Sequence, residues 1–163
     1  MTIPHIASDL HRVLENATPR LASLTESQVS TPPAPGKWSA KEILGHLVDS
    51  AANNHPRFVL AQGRADLDFP GYDQEQWVAL QRYRDEAWSD VLALWSAYNR
   101  HIVHIIGSIQ PHELTLPRRR HSLARIAWRP VDEREPATLE YMIADYVGHM
   151  EHHLAQIYAL TGA

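Results

Sequence analysis

Histidine is the residue through which this sequence can do chemistry. Of eleven histidines in 163 residues, His149 and His153 stand four apart in a segment whose Leu139, Ile143, Tyr146, Met150, Leu154, Ile157 and Leu160 trace one apolar helical stripe. Side chains at that spacing lie one above the other, so both imidazoles can point at one ion. At about 100° per residue, His153 lies roughly 40° round from His149, and both border the stripe centred on Tyr146, Met150 and Ile157. They therefore face inward. His152 falls about 60° to the other side, away from the stripe, and is read as solvated. The same spacing also suits a satisfied pair of core histidines, so on spacing alone the metal reading stays open. Glu151 does not make a zincin motif, which needs Glu directly after the first His, where Met150 stands.

Two neutral imidazoles rarely hold a catalytic ion alone, and a helical core collects ligands from facing helices. His46 is the best candidate for a third, lying among Ile43, Leu47 and Ser50 where an unpartnered imidazole would be costly to bury. His101 and His104, three apart, compete for that role or are helix-surface residues. His5, His11, His55, His112 and His121 read as terminal, surface or loop residues. The chain has no cysteine, which removes thiolate ligands, disulfides and a cysteine nucleophile. Three histidines without a fourth protein ligand leave positions for water or substrate, the arrangement of a catalytic site. Asp49, Ser50, Asn53 and Arg57 follow His46 on one helical face. Asp49 or Asn53 could orient a ligand histidine or a bound water, and Arg57 could meet a substrate carboxylate. Asp145 and Gln156 flank the second histidine pair in the same sense. For all of these, ordinary polar boundary positions are the alternative.

Helices have to carry these side chains. Ile6, Leu10, Val13, Leu14, Leu21 and Leu24 predict a first helix over residues 4–25, kinked at Pro19. The run 31–36, Thr-Pro-Pro-Ala-Pro-Gly, cannot continue a helix and must be an extended connector. Ser39 and Glu42 form a capping box for a second helix reaching about Gly63, with a kink expected at Pro56. Asp73 is placed to cap a long third helix whose stripe runs from Trp77 and Leu80 through Trp88 and Trp95 to Ile105. Residues 107–136, rich in proline and arginine, read as loop, and a fourth helix starts near Ala137. The economical architecture is all-α, a four-helix bundle with one long crossover connection, and residues 1–163 read as a single domain.

Composition bounds what such a bundle can meet. A formal charge of -4 and a pI near 6.2 give no basic field for phosphate backbones, so nucleic acid is disfavoured. No apolar run approaches the roughly 20 residues of a membrane span. Met1 to His5 lacks the basic start and apolar stretch of a secretory signal, and a cytoplasmic location is expected. Arg118, Arg119, Arg120, Arg125, Arg129 and Arg134 could gather an anionic cosubstrate over a pocket mouth, although Asp132, Glu133 and Glu135 dilute that charge and a solvated loop is the simpler reading.

Two phrases carry a family resemblance. Residues 35–50, PGKWSAKEILGHLVDS, resemble the second-helix entry of the DinB-like superfamily, the fold shared with bacillithiol transferases and mycothiol-dependent enzymes. Residues 149–157, HMEHHLAQI, resemble that family's second metal motif. The resemblance implies a four-helix bundle binding one divalent ion, zinc or nickel foremost, on His46, His149 and His153, usually in a homodimer. It favours a thiol S-transferase, in which the metal activates a low-molecular-weight, bacillithiol-like thiol for attack on an electrophile. Two alternatives stand beside it. One is metal-dependent hydrolysis, where Glu42, Asp49 or Asp145 would have to reach the attacking water as base. The other is a stress-linked bundle that the metal merely braces.

Overall fold

The computed structural model describes residues 5–163. Four long helices form the bundle: α1 (His5–Ala22), α3 (Ala40–Leu60), α5 (Trp88–Gly107) and α8 (Leu139–Thr161). They pack in a ring in which α5 lies between α1 and α3, and α8 closes the other side between the same two. Consequently α1 and α3 are diagonal, as are α5 and α8, and the chain must cross the bundle between α5 and α8. The protein is an all-α four-helix bundle with a long crossover. The predicted helix start at Pro4, like the Met1–Pro4 part of the terminal reading, lies outside the described residues.

Two of the bundle helices, α3 and α8, begin where the sequence supplies a capping side chain. Ser39 caps α3 and Glu42 returns the bond to the Ser39 N–H, as expected of a capping box. Thr138 caps α8. Both prolines are tolerated inside helices: α1 runs through Pro19 and α3 through Pro56, each on an exposed side where water can meet the carbonyl left without a partner. Between α1 and α3, a short helix that the periodicity did not suggest, α2 (Glu26–Ser30), is opened by its own capping box, Thr25 with Gln28.

The long third helix is a correction. Asp73 does cap a helix, but α4 (Gln74–Gln81) stops at Arg82, whose φ of 55° is left-handed, and a tight turn over Tyr83–Asp85 precedes α5. Trp77 and Leu80, expected on the core stripe, are exposed, at 36% and 75%, whereas Trp88 and Trp95 are buried. The break has a packing reason. It lets Tyr83 fold onto α3 at Gly45, where any Cβ would collide with the tyrosine ring. With α2, α4 and this turn laid over it, the first half of α3 is buried all round, from Ala40 to Ala51.

The crossover is also more ordered than the loop expected. It holds α6 (Pro111–Thr115) and α7 (Leu123–Ile126), and two isolated backbone pairings tie Leu67 to the 120–122 segment and Arg118 to Ala137. Arg118 is not an anion collector. It is 2% exposed, paired with Glu113 at 2.7 Å, and donates to the carbonyls of Ala61 and Arg64 just past the end of α3. Arg120 and Arg134 are paired with Asp68 and Asp132, so half of the arginines named in that segment are spent on local structure.

Candidate metal centre

α3 and α8 bring His46, His149 and His153 together. One ring nitrogen of each lies within 4.8 Å of the others, and His46 Nε2 and His149 Nε2 are 3.1 Å apart. Two nitrogens held at about 2.1 Å from one ion and roughly 90–109° apart would stand about 3.0–3.4 Å from each other, so the pair is already at a ligating separation. Burial pushes His46 down to about 4 and His149 down to about 3, and lowers His153 as well. Neutral imidazoles with free lone pairs are what a cation requires. His46 is fully buried, its Nδ1 has no partner among the described residues, and the Trp38 ring packs 5.1 Å from its own.

Gln156 does what a residue flanking a ligand should. Its Oε1 accepts from His153 Nδ1 at 2.8 Å, which leaves His153 Nε2 as the lone-pair nitrogen, and its Nε2 donates to His152. His152 is exposed and outside the triad, as its angular position indicated. His101 and His104 are exposed on α5 and, among the described residues, do not join the triad.

His149 and His153 open onto a cavity of about 280 Å³ whose other walls include Ser50, Asn54 and Arg57 from α3, with His46 buried behind them. The crossover supplies the outer wall. Trp128 packs against α8 at Gly148, where an added Cβ would sit 3.2 Å from the ring, and the Trp128 and Arg129 N–H groups both donate to Asp145 at 2.8 Å. Among the described residues Asp145 is the one carboxylate in the cavity's walls, and burial raises its pKa.

Other candidates fare differently. Asp49 is 1% exposed and does not line the cavity, accepting from Tyr83 Oη at 2.6 Å and Gln81 Nε2 at 2.7 Å, with burial raising its pKa. Asn53 donates to the Asp49 carbonyl and does not line the cavity, whereas its neighbour Asn54 does. Asn54 stands three before Arg57, a same-face spacing that could have singled it out. Glu42 is committed to its capping box and to Arg84 at 2.9 Å, so it is unavailable as a base. Trp128 and Gln81 carried no signal in the sequence, because their roles arise from segments folded back onto the bundle.

Comparison with known proteins agrees with this arrangement. A family model described as the DinB superfamily matches residues 9–157. YfiT of Bacillus subtilis, described as a probable metal-dependent hydrolase, is 27% identical over 154 residues, covering 92% of this chain and 81% of its own. A Bacillus mycoides protein of like description is 26% identical over 140 residues, covering 86% of this chain and 74% of its own. The solved YfiT structure, an unusual four-helix bundle, superposes with a TM-score of 0.74 at 24% identity, covering 99% of this chain and 89% of that one. The chain belongs to the DinB superfamily.

Proposed function

We propose that this protein is a divalent-metal-dependent enzyme, with zinc or nickel on His46, His149 and His153, that transfers a low-molecular-weight thiol to an electrophile. The observation that carries the reading is the convergence of three neutral imidazoles, two of which line a cavity, with no fourth protein donor in the group among the described residues. Such an ion supplies Lewis acidity, easing the proton off a thiol or a water brought against it. The protein's own residues do the rest. Gln156 holds the His153 tautomer, Trp128 and Ala127 narrow the cavity, and burial keeps the triad uncharged. The thiol has to be a small molecule because the chain has no cysteine. The homodimer implied by the family resemblance belongs to the same proposal.

Hydrolysis is the second reading, favoured by Asp145. Its carboxylate stands in the cavity wall, and burial, by raising its pKa, makes it a better proton acceptor than an exposed aspartate. The descriptions of the relatives point the same way.

The first test is elemental analysis of tag-free protein. About one ion per chain is expected, lost in His46→Ala, His149→Ala and His153→Ala and kept in His152→Ala. Metal retained by the triad variants would overturn the site. The loaded enzyme is then given a thiol with a dinitrophenyl halide, and separately an ester. Metal-dependent thiol consumption supports transfer, whereas ester turnover without thiol, abolished in Asp145→Asn, replaces it with hydrolysis.

A further inference from the structure

Three cations are buried among the described residues: Lys41, Arg57 and Arg118. Lys41 is paired with Glu26 at 2.7 Å and Arg118 with Glu113 at 2.7 Å. Arg57 differs. It is 6% exposed, yet among the described residues its hydrogen bonds reach only neutral acceptors, Pro70 O at 2.7 Å and Asn54 Oδ1 at 3.3 Å. A guanidinium carries five N–H donors, so this one keeps unused capacity. A buried charge without a counter-ion is strongly unfavourable unless something supplies the opposite charge.

Arg57 lines the cavity onto which His149 and His153 open. The cavity's own carboxylate, Asp145, is occupied by two backbone N–H groups and does not reach it. Arg125 adds a second guanidinium to the same walls, with its nearest carboxylate, Asp68, 3.8 Å away. We propose that Arg57, with Asn54 beside it and Arg125 in the same cavity walls, is a subsite for an oxyanion of the substrate, most simply a carboxylate gripped by the guanidinium fork. His46 and Arg57 are separated by about 16 Å of helix axis, and arginine leans back towards the helix N-terminus, which shortens the gap. The substrate class is therefore a small carboxylated molecule, a few extended residues long, with its reacting atom at the opposite end from the anion. This placement of the reacting atom rests on the histidine triad being the reaction centre. The binding of the anion does not.

The test uses full-length, metal-free protein, freed of chelator by dialysis, and reads binding by calorimetry with succinate, glutathione and inorganic phosphate as probes. At least one is expected to bind wild type, to weaken tenfold or more in Arg57→Gln, and to recover in part in Arg57→Lys. Preference for succinate or glutathione over phosphate identifies a carboxylate, and the reverse a phosphorylated substrate; either supports the subsite. Arg57→Gln is expected to melt no lower than wild type in chloride buffer, because it removes an unpaired buried charge. If it fails to fold, Arg57→Lys and Arg125→Gln carry the test, each expected to weaken binding at least threefold. No binding by wild type, or equal binding by variants that fold, overturns the proposal. Since the readout needs no ion, loss of the metal site and loss of the anion site are told apart.

Discussion

Acid should unfold the metal-free protein through its histidine triad, and by an amount that can be worked out. In the unfolded chain an imidazole takes up its proton near pH 6.5, whereas burial in the fold holds His46 down to about 4 and His149 down to about 3. Between those values the unfolded state binds more protons, so stability is full above about pH 7 and falls as the pH drops. Each group contributes at most about 1.4 kcal/mol per pH unit, and integrating from pH 7.5 to 5 gives about 2 kcal/mol each, about 4 together. That is a large part of the roughly 5–15 kcal/mol holding an ordinary domain. His153 is lowered too and acts in the same direction. Urea unfolding at pH 7.5 and 5.0 would measure it, for wild type and for a His46→Gln, His149→Gln double variant, with the window closed above the carboxylate range. The double variant should lose about 4 kcal/mol less than wild type on acidification. Equal losses in the two proteins would refute the reasoning, since the protons would then be going elsewhere. In the loaded protein, acid should release the ion over the same window, because protons and metal compete for the same lone pairs.

A hundredfold excess of zinc over its dissociation constant should stabilise the fold by about 2.7 kcal/mol, raising the melting temperature by roughly 5–10 °C by scanning calorimetry, and the rise should vanish in His149→Ala. Gln156→Ala should leave the fold intact but weaken metal affinity about 10- to 100-fold in a competition titration, because it frees the His153 ring that Oε1 now fixes. Gly45→Ala should cost about 1–3 kcal/mol in urea, since its methyl would enter the Tyr83 ring and displace the hydroxyl that holds Asp49. Arg118→Met should cost about 3–5 kcal/mol, stranding Glu113 and the carbonyls after α3, without changing the metal content of the protein that folds.

The triad was legible in the sequence because helical spacing is a strictly local rule. His149 and His153 share a face by their separation alone, and His46 was picked out by an apolar neighbourhood that a lone imidazole could not tolerate. What spacing could not reveal is how segments fold back onto the bundle. Trp77 and Leu80 continue the periodic stripe of Trp88 and Trp95, yet the chain turns at Arg82 because Tyr83 packs onto α3 at Gly45, a long-range contact that overrides local periodicity. Asn54 and not Asn53 faces the cavity, a difference of one position that depends on where the crossover lies.

Arginine shows the same limit with the sign reversed. Arg118, in a run that looks like an anion collector, is the most deeply buried of the arginines and serves the end of α3, while Arg57, outside any such run, is the buried cation left without an acid among the described residues. Local charge density is therefore a poor guide to anion binding in this fold, and pairing is the better one. A guanidinium whose carboxylate partner lies within the chain is structural, whereas one buried against a cavity without such a partner has its electrostatic cost met by whatever enters. By that criterion the crossover's main role is to build, with Arg125 its contribution to binding. It anchors Arg118, lays Trp128 over Gly148, and so closes a chamber with His149 and His153 of the uncharged triad at one wall and an unpaired positive charge at another.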